Sequence, residues 1–429
     1  MSIPAFRTSD RSRRALFVTY GASHIAKVAP VVRVLERYGV ECLVIALTTG
    51  YKKAQQLGLS PFGYQDFLHL VADPDAVIQR GMLLLEHNSH PDVGEFETCC
   101  YLGVNYNEWV ANLGEEGAAL MYSTKGRRSF MPLRFMVAVV KDLQPGVVVA
   151  TGTPRSEQAA IEAAINLNIP TLTMADLAAP LPADPFLLRL RHADVVTVMS
   201  EEVRTSFLNY GLPASKVVTT GSPDFDALFE PSVAQAGNEF KTRMGWDGFR
   251  VVLWAGILEK QGGESLPMFA GSGLALEVER RLRQWVKSEP RSALIVRYHP
   301  NEYHAFTKLE SQDRVYVSDP ASEVLHPLLH ASDIVIVQVS TVGLEASMLG
   351  KRVLSLGFSG WPQAYNFDLS SFGSSEVVPN LESLISVILK SKETSESIRR
   401  VNFPIGAAAP KVARQVLRLL RFQDVIKQV

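Results

Sequence analysis

Short apolar runs recur along this chain, and each closes on a small or turn-forming residue. Ala15-Leu-Phe-Val-Thr-Tyr20 stops at Gly21, Glu41-Cys-Leu-Val-Ile-Ala-Leu47 at Thr48-Thr-Gly50, and Val147-Val-Val-Ala150 at Thr151-Gly-Thr-Pro154. Between the first two, Ile25, Val28, Val31, Val32 and Leu35 recur at helical spacing as far as Gly39. A run without polar alternation fits a strand buried on both faces, as in a parallel sheet covered by helices. Strand, helix, strand then implies a parallel pair joined by a right-handed crossover. The pattern returns in Ile169–Met174, Asp194–Met199 and Val217–Thr220, and is less regular between Pro61 and Met136.

The pattern restarts at Arg250-Val-Val-Leu-Trp254 and continues through Ala293–Arg297, Arg314–Val317, Asp333–Val337 and Arg352–Leu356. A single core rarely grows past about 250–300 residues, so 429 residues imply two domains. The polar stretch 230–248, broken by Pro231, Gly237, Gly245 and Gly248, reads as the linker. The expectation is an α/β chain of two doubly wound, Rossmann-like domains, residues 1–229 and 249–429, with a cleft between them. The last helix, from about Val412 to Gln428, is expected to pack back on the first domain. The linker and the restart argue against one (β/α)8 barrel.

Composition removes several function classes. The formal net charge is −1, and the basic start (Arg7, Arg11, Arg13, Arg14) reads as a solvated tail, so no nucleic-acid partner is expected. Cys42, Cys99 and Cys100 form neither a disulfide framework nor a zinc set. The N-terminus reads as lacking a signal peptide, and no apolar run reaches membrane-spanning length. A cytoplasmic protein is expected, with peripheral membrane association left open and oligomeric state undetermined.

In such domains ligands gather at the carboxyl ends of strands, often over a helix N-terminus. In Gly21-Ala-Ser-His24, the glycine permits a tight turn, Ser23 can cap the next helix, and His24 is either a cleft residue or polar surface. In Thr151-Gly-Thr-Pro-Arg-Ser-Glu157, Thr153 and Arg155 suit an anion, although single hydroxyls here also serve as plain caps. Asp176 follows a strand, as a base or as a loop carboxylate. In Tyr298-His-Pro-Asn-Glu302, His299 can meet phosphate oxygens. In Val339-Ser-Thr-Val-Gly-Leu-Glu-Ala346, Ser340, Thr341 and the helix amides can hold a diphosphate, Gly343 lies in the first turn, and Glu345 suits ribose hydroxyls. The alternative for Glu345 is an acidic residue stabilised near a helix N-terminus.

Together these segments resemble the glycosyltransferase-B superfamily, and within it the group of UDP-N-acetylglucosamine 2-epimerases and bacterial capsule-type sugar transferases. Gly21–Pro30 is similar to the epimerase opening, Tyr210–Asp226 to the end of the first domain, and His299-Pro-Asn301 with Gly343–Val353 to the nucleotide-binding half. Gly152-Thr153 stands where the epimerases carry an acidic residue, and Ser340-Thr-Val-Gly-Leu-Glu345 replaces their Ser-Gly-Gly and paired glutamates. The resemblance therefore implies a metal-independent transferase acting on a UDP- or CMP/CDP-linked sugar in polysaccharide or glycoconjugate synthesis. The acceptor would be a glycan, a lipid-linked glycan or a small molecule, and no obligatory cofactor is implied. Asp176 and His24 are the candidate catalytic residues, Glu116 of Glu115-Glu116-Gly117 a weaker one. His299, Asn301, Ser340, Thr341, Gly343 and Glu345 would bind the donor. Gly21, Ser23, Thr153, Arg155 and Ser222 would contact anionic parts of the substrate. The alternatives are a 2-epimerase or hydrolase, and a non-catalytic nucleotide-binding subunit.

Overall fold

The structure is a computed structural model and describes residues 11–86, 88–152, 154–175, 193–259, 270–300, 302–361, 375–390 and 406–421. The chain divides into two compact units, Met1–Asp226 with Ala407–Val429, and Ala227–Gly406.

The first unit runs β1 (Arg14–Tyr20), α1 (Ala22–Arg37), β2 (Glu41–Leu47), α2 (Thr49–Gln56), α3 (Pro74–Leu83), α4 (Glu95–Lys125), α5 (Leu133–Leu143), β3 (Val147–Thr151), α6 (Ser156–Asn166), β4 (Thr171–Met174), β5 (Val195–Val198), α7 (Glu201–Asn209) and β6 (Val217–Thr219). Its sheet is parallel throughout, in the order β2-β1-β3-β4-β5-β6. Both faces are buried, as the unbroken apolar runs require. Leu16 and Val18 of β1 enter one core with Tyr64, Tyr101 and Met136, and Ala15 and Phe17 enter the opposite one with Ile25 and Val31 of α1. Strand order reverses between β1 and β3, where successive strands begin to add on the other side. A ligand crevice opens at such a point, outside the carboxyl ends of the strands.

The less regular stretch 60–136 is helical. α3 lies against α4 with no room for side chains between the backbones. A Cβ on Gly81 would fall 2.0 Å from the Cys99 carbonyl oxygen, and one on Gly103 1.9 Å from that of Val77. α4 is bent at Gly114, whose φ of +73° a glycine adopts without strain. Glu115 and Glu116 lie just beyond the bend, solvent-exposed, and Glu115 pairs with Arg80 at 2.5 Å. A position within a helix, not after a strand, sets Glu116 apart from the strand-end residues.

The second unit runs α8 (Pro231–Arg243), β7 (Arg250–Gly256), α9 (Gly273–Ser288), β8 (Ser292–Tyr298), β9 (Val315–Val317), α10 (Leu325–Ala331), β10 (Ile334–Val337), α11 (Thr341–Met348), β11 (Arg352–Leu356), β12 (Glu376–Val378) and α12 (Leu384–Leu389). Its parallel sheet has the order β12-β11-β10-β7-β8-β9, which reverses between β7 and β10. The stretch 230–248, expected as a linker, holds the 13-residue α8. Pro231 starts that helix, where its missing N–H costs nothing. Gly237 lies inside it because a Cβ there would meet His330 Cβ at 2.5 Å. Close packing against α10, not chain flexibility, accounts for this glycine.

The chain then returns to the first unit as α13 (Ala408–Leu419). Val412, Ala413, Val416 and Leu417 join the core containing Phe17. Asp226, where the chain leaves the unit, caps this helix where it re-enters. Its carboxylate accepts from the Ala408 and Ala409 amides at 3.0 and 2.8 Å.

Candidate active site

In the first unit the site grows from the strand-order reversal. Gly21 follows β1 with φ +93°, and the Cβ of any other residue would make that conformation costly. It caps α1 without a side chain, and Thr49 Oγ1 accepts from the Ala22 amide at 3.2 Å. Ser23 is therefore not the cap. It already lies within the first turn of the helix and is exposed.

His24 comes one residue later and turns inward, only 7% exposed. Its Nδ1 lies 3.0 Å from Oε1 of Glu157 and 2.9 Å from Oγ1 of Thr151. The Thr151 hydroxyl donates to the same carboxylate oxygen. Thr151 ends β3, and Glu157 is the second residue of α6, wholly buried. A carboxylate can only accept, so Nδ1 carries the proton and Nε2 is the basic nitrogen. Glu157 thus fixes the tautomer and steadies any imidazolium that forms. A His–carboxylate pair at the switch point is a general-base arrangement. Glu157 was not among the sequence candidates. The signal available was an acidic residue at the start of the helix after a buried strand, which usually marks only a favourable helix charge.

Around this pair, Ser156 shares a 2.7 Å hydrogen bond with the Tyr64 hydroxyl. The Arg155 guanidinium lies 3.8 Å over the Tyr20 ring. Beneath Tyr64, Glu97 of α4 accepts from the Tyr64 and Gln65 amides at 2.8 and 2.9 Å. Burial pushes its carboxyl up to about 7 against the pull of those two bonds. Ser222 is set apart. It follows the edge strand β6, with β4 and β5 between that strand and β3, and its hydroxyl donates to Asp224. Thr153 and Asp176 lie outside the described residues.

The second unit repeats the logic at the β7–β10 reversal. Ser340 caps α11, accepting from the Val342 amide at 3.2 Å. Thr341 is exposed at the first helical position, and Gly343 is buried two residues on. Glu345 is 7% exposed, and its Oε2 lies 3.1 Å from Nε2 of His326 on α10. His299 is exposed at the end of β8, its amide donating to the Gly256 carbonyl at 3.1 Å. Asn301 lies outside the described residues.

One buried network ties the strand ends of this unit together. Gln338, just after β10, accepts from the Ile257 amide at 2.8 Å and donates to Glu259 at 3.0 Å. Glu259, 3% exposed, also accepts from the Ser359 hydroxyl and the Gly360 amide. Each donor meets an acceptor, the condition under which a buried carboxylate is tolerated. Gln338, Glu259 and His326 carry no sequence motif and were not anticipated. Among the described residues, no group of His, Cys, Asp and Glu side chains converges as a metal set, and no helix is long and apolar enough to cross a membrane.

Residues 166–401, more than half of the chain, match the CDP-glycerol:poly(glycerophosphate) glycerophosphotransferase family. The chain belongs to this family. It is accordingly a transferase. The matched span contains His299, Ser340, Thr341 and Glu345, and begins after the His24–Glu157 pair. No curated protein matches this family member. Among solved structures it is similar to the UDP-GlcNAc 2-epimerase of Neisseria meningitidis bound to UDP-GlcNAc, at 16% identity over 94% of this chain and 100% of that one, with a TM-score of 0.57. It is similar to the S. aureus MnaA–UDP co-structure at 14% identity over 95% and 97% of the two chains, TM-score 0.59. A variant of the wall teichoic acid polymerase TagF aligns at 10% identity over 96% and 90%, TM-score 0.53. At such identities the likeness is one of fold: two Rossmann-like domains of the glycosyltransferase-B kind, as the sequence implied.

Proposed function

We propose that this transferase moves an alcohol-phosphate group from a CDP-linked donor to a hydroxyl of an acceptor polymer, with His24 as general base. The observation that carries the reading is the Thr151–Glu157–His24 arrangement. Nε2 of His24 takes the proton of the acceptor hydroxyl. The hydroxyl oxygen forms a bond to the donor's β-phosphorus, and the bond from that phosphorus to the bridging oxygen breaks, releasing CMP. Glu157 balances the imidazolium formed in that step. On the donor side, Glu345 is assigned to the ribose hydroxyls, with His326 holding the carboxylate in place. Ser340, Thr341 and the first amides of α11 are assigned to the diphosphate, with His299 beside them. Charge on the departing phosphate is met by hydroxyls and the helix N-terminus without an obligatory metal.

Family membership favours a CDP-linked donor over the UDP-linked sugars of the neighbours that share only the fold. His24 is preferred to Asp176 as base because its carboxylate partner and hydroxyl support are in place. The test is CMP release from CDP-glycerol with and without a glycerophosphate-terminated acceptor. Release should require the acceptor and should be abolished in His24→Gln, with CDP binding retained. Conversion of UDP-GlcNAc to an epimer without any acceptor would replace this reading with the epimerase one.

A further inference from the structure

A lysine is rarely buried without a partner, because its ammonium is strongly hydrated. Among the described residues, every other buried Arg or Glu has a hydrogen-bond partner. Arg14 meets Glu41 and Arg283 meets Glu279, while Glu97 and Glu259 accept from backbone amides. Lys27 of α1 is the exception. It is 8% exposed, and among the described residues it makes no hydrogen bond or ion pair. Its Nζ is nevertheless not sealed from solvent. A snorkelling lysine lays its stem on apolar surface and keeps its head in bulk water. Lys27 sits too deep for that, and a buried ammonium without a counter-charge is costly. The first turns of a helix add to the cost, since their dipole disfavours a cation. A methionine would fill the same space without either cost, so packing does not account for the charge.

The position of Lys27 says what it meets. It lies three residues after His24, so the two share a face of α1, about 4.5 Å apart along the axis. Long helical side chains lean toward the helix N-terminus, over the preceding turn. The ammonium is therefore carried toward the level of His24, whose Nδ1 is engaged by Glu157 and Thr151. When Nε2 takes the acceptor proton, the acceptor oxygen lies within about 3 Å of it, and the phosphorus under attack within about 3.5 Å of that oxygen. The non-bridging oxygens of the group in transfer are thus the anionic atoms that the reaction must bring beside His24.

We propose that Lys27 is a further catalytic residue, whose ammonium binds a non-bridging oxygen of the donor's β-phosphate and balances the charge that builds there as the acceptor oxygen adds. Lys27 exchanges no proton and forms no covalent bond in this step. The assignment rests on the reading of His24 as the base. CDP carries the β-phosphate and CMP lacks it, which supplies the test. Both nucleotides are titrated calorimetrically into the full chain, for the native sequence, Lys27→Met and Lys27→Arg, and CMP release from CDP-glycerol is followed in the same proteins. The native chain should bind CDP more tightly than CMP. Lys27→Met should weaken CDP binding about tenfold or more, as expected for loss of a charged hydrogen-bonding partner, and leave CMP binding within about twofold. It should slow CMP release about 10²–10³-fold, the range for a lost donor to a developing oxyanion. Unchanged CMP binding also shows that the variant is folded. Lys27→Arg keeps the charge and should retain the preference for CDP. Equal CDP affinity in the native chain and Lys27→Met, a loss shared equally by CDP and CMP, or an effect confined to the acceptor KM would each overturn the proposal. If the preference for CDP is lost as expected but turnover survives in His24→Gln, the base assignment fails and the phosphate contact stands.

Discussion

The Glu157 carboxylate on α6 meets Nδ1 of His24 on α1 at 3.0 Å, with both side chains almost wholly buried. The contact spans 133 residues and joins the helices that follow β1 and β3, on the two sides of the strand-order reversal. Replacing Glu157 with Gln keeps the shape and removes the charge that steadies a protonated imidazole. kcat is expected to fall about 10–100-fold, the range for an orienting partner, and His24→Gln about 10²–10⁴-fold. Initial rates of CMP release check both. A Glu157→Gln enzyme with native kcat would remove the pair from the mechanism.

The second pairing, His326 with Glu345, predicts a binding phenotype. Glu345→Ala should weaken CDP binding about tenfold, the order expected for a lost hydrogen bond to a charged group. His326→Ala should weaken it in the same direction by less, because the carboxylate remains but is no longer held. Calorimetric titration with CDP measures both, and an unchanged affinity in Glu345→Ala would end the ribose assignment.

Glu97 predicts a pH dependence of stability. Burial lifts its carboxyl from an ordinary value of 4.5 to about 7, against the lowering pull of the Gln65 and Tyr64 amides. Between those limits the folded chain holds a proton that the unfolded chain has released. Stability contributed below pH 4.5 is therefore lost as the pH rises to about 7. The shift corresponds to roughly 3 kcal/mol. Urea unfolding at pH 5 and pH 8 should show the native chain losing stability across the interval and Glu97→Gln losing much less. Equal slopes for the two proteins would refute the assignment.

Gly103 predicts a packing phenotype in the α3–α4 pair. Gly103→Ala would place its methyl group 1.9 Å from the Val77 carbonyl oxygen, which is backbone and cannot swing away. The helices must separate, at a cost of about 1–3 kcal/mol. For a chain of this size each kcal/mol lowers Tm by about 2–4 °C, so a fall of several degrees is expected in a thermal melt. A Tm within a degree of native would show that the helices part freely.

The strands were legible because buried parallel strands are written as unbroken apolar runs. Ala15–Tyr20, Glu41–Leu47 and Val147–Ala150 agree with β1, β2 and β3 to within a residue at either end. Strand-end residues were legible for the same reason: the end of an apolar run marks where a ligand-facing turn begins. Ser340 caps α11 and Gly21 turns into α1 where the sequence put a turn. Within 60–136 a helix near Asp75–His87 was legible and corresponds to α3, but α4 was not, because its apolar residues pack on several sides. Phe96, Leu113 and Leu120 remain exposed while Cys99 to Val104 are all buried, so no single stripe marks the helix. Residues 230–248 misled because Gly237 signals flexibility in a sequence and close helix contact in the fold.

By itself, the sequence determined the parallel strands, the two-domain α/β fold and the residues at the strand ends, since these depend on local periodicity and turn chemistry. Tertiary structure alone decided which strand-end residues work together. His24 acquired Glu157, Glu345 acquired His326, and Arg155 acquired Tyr20 in place of a carboxylate. Those partners lie 133, 19 and 135 residues away along the chain. Strand order brings them together, and strand order is set by how whole helices and sheets bury their faces, which no local pattern encodes.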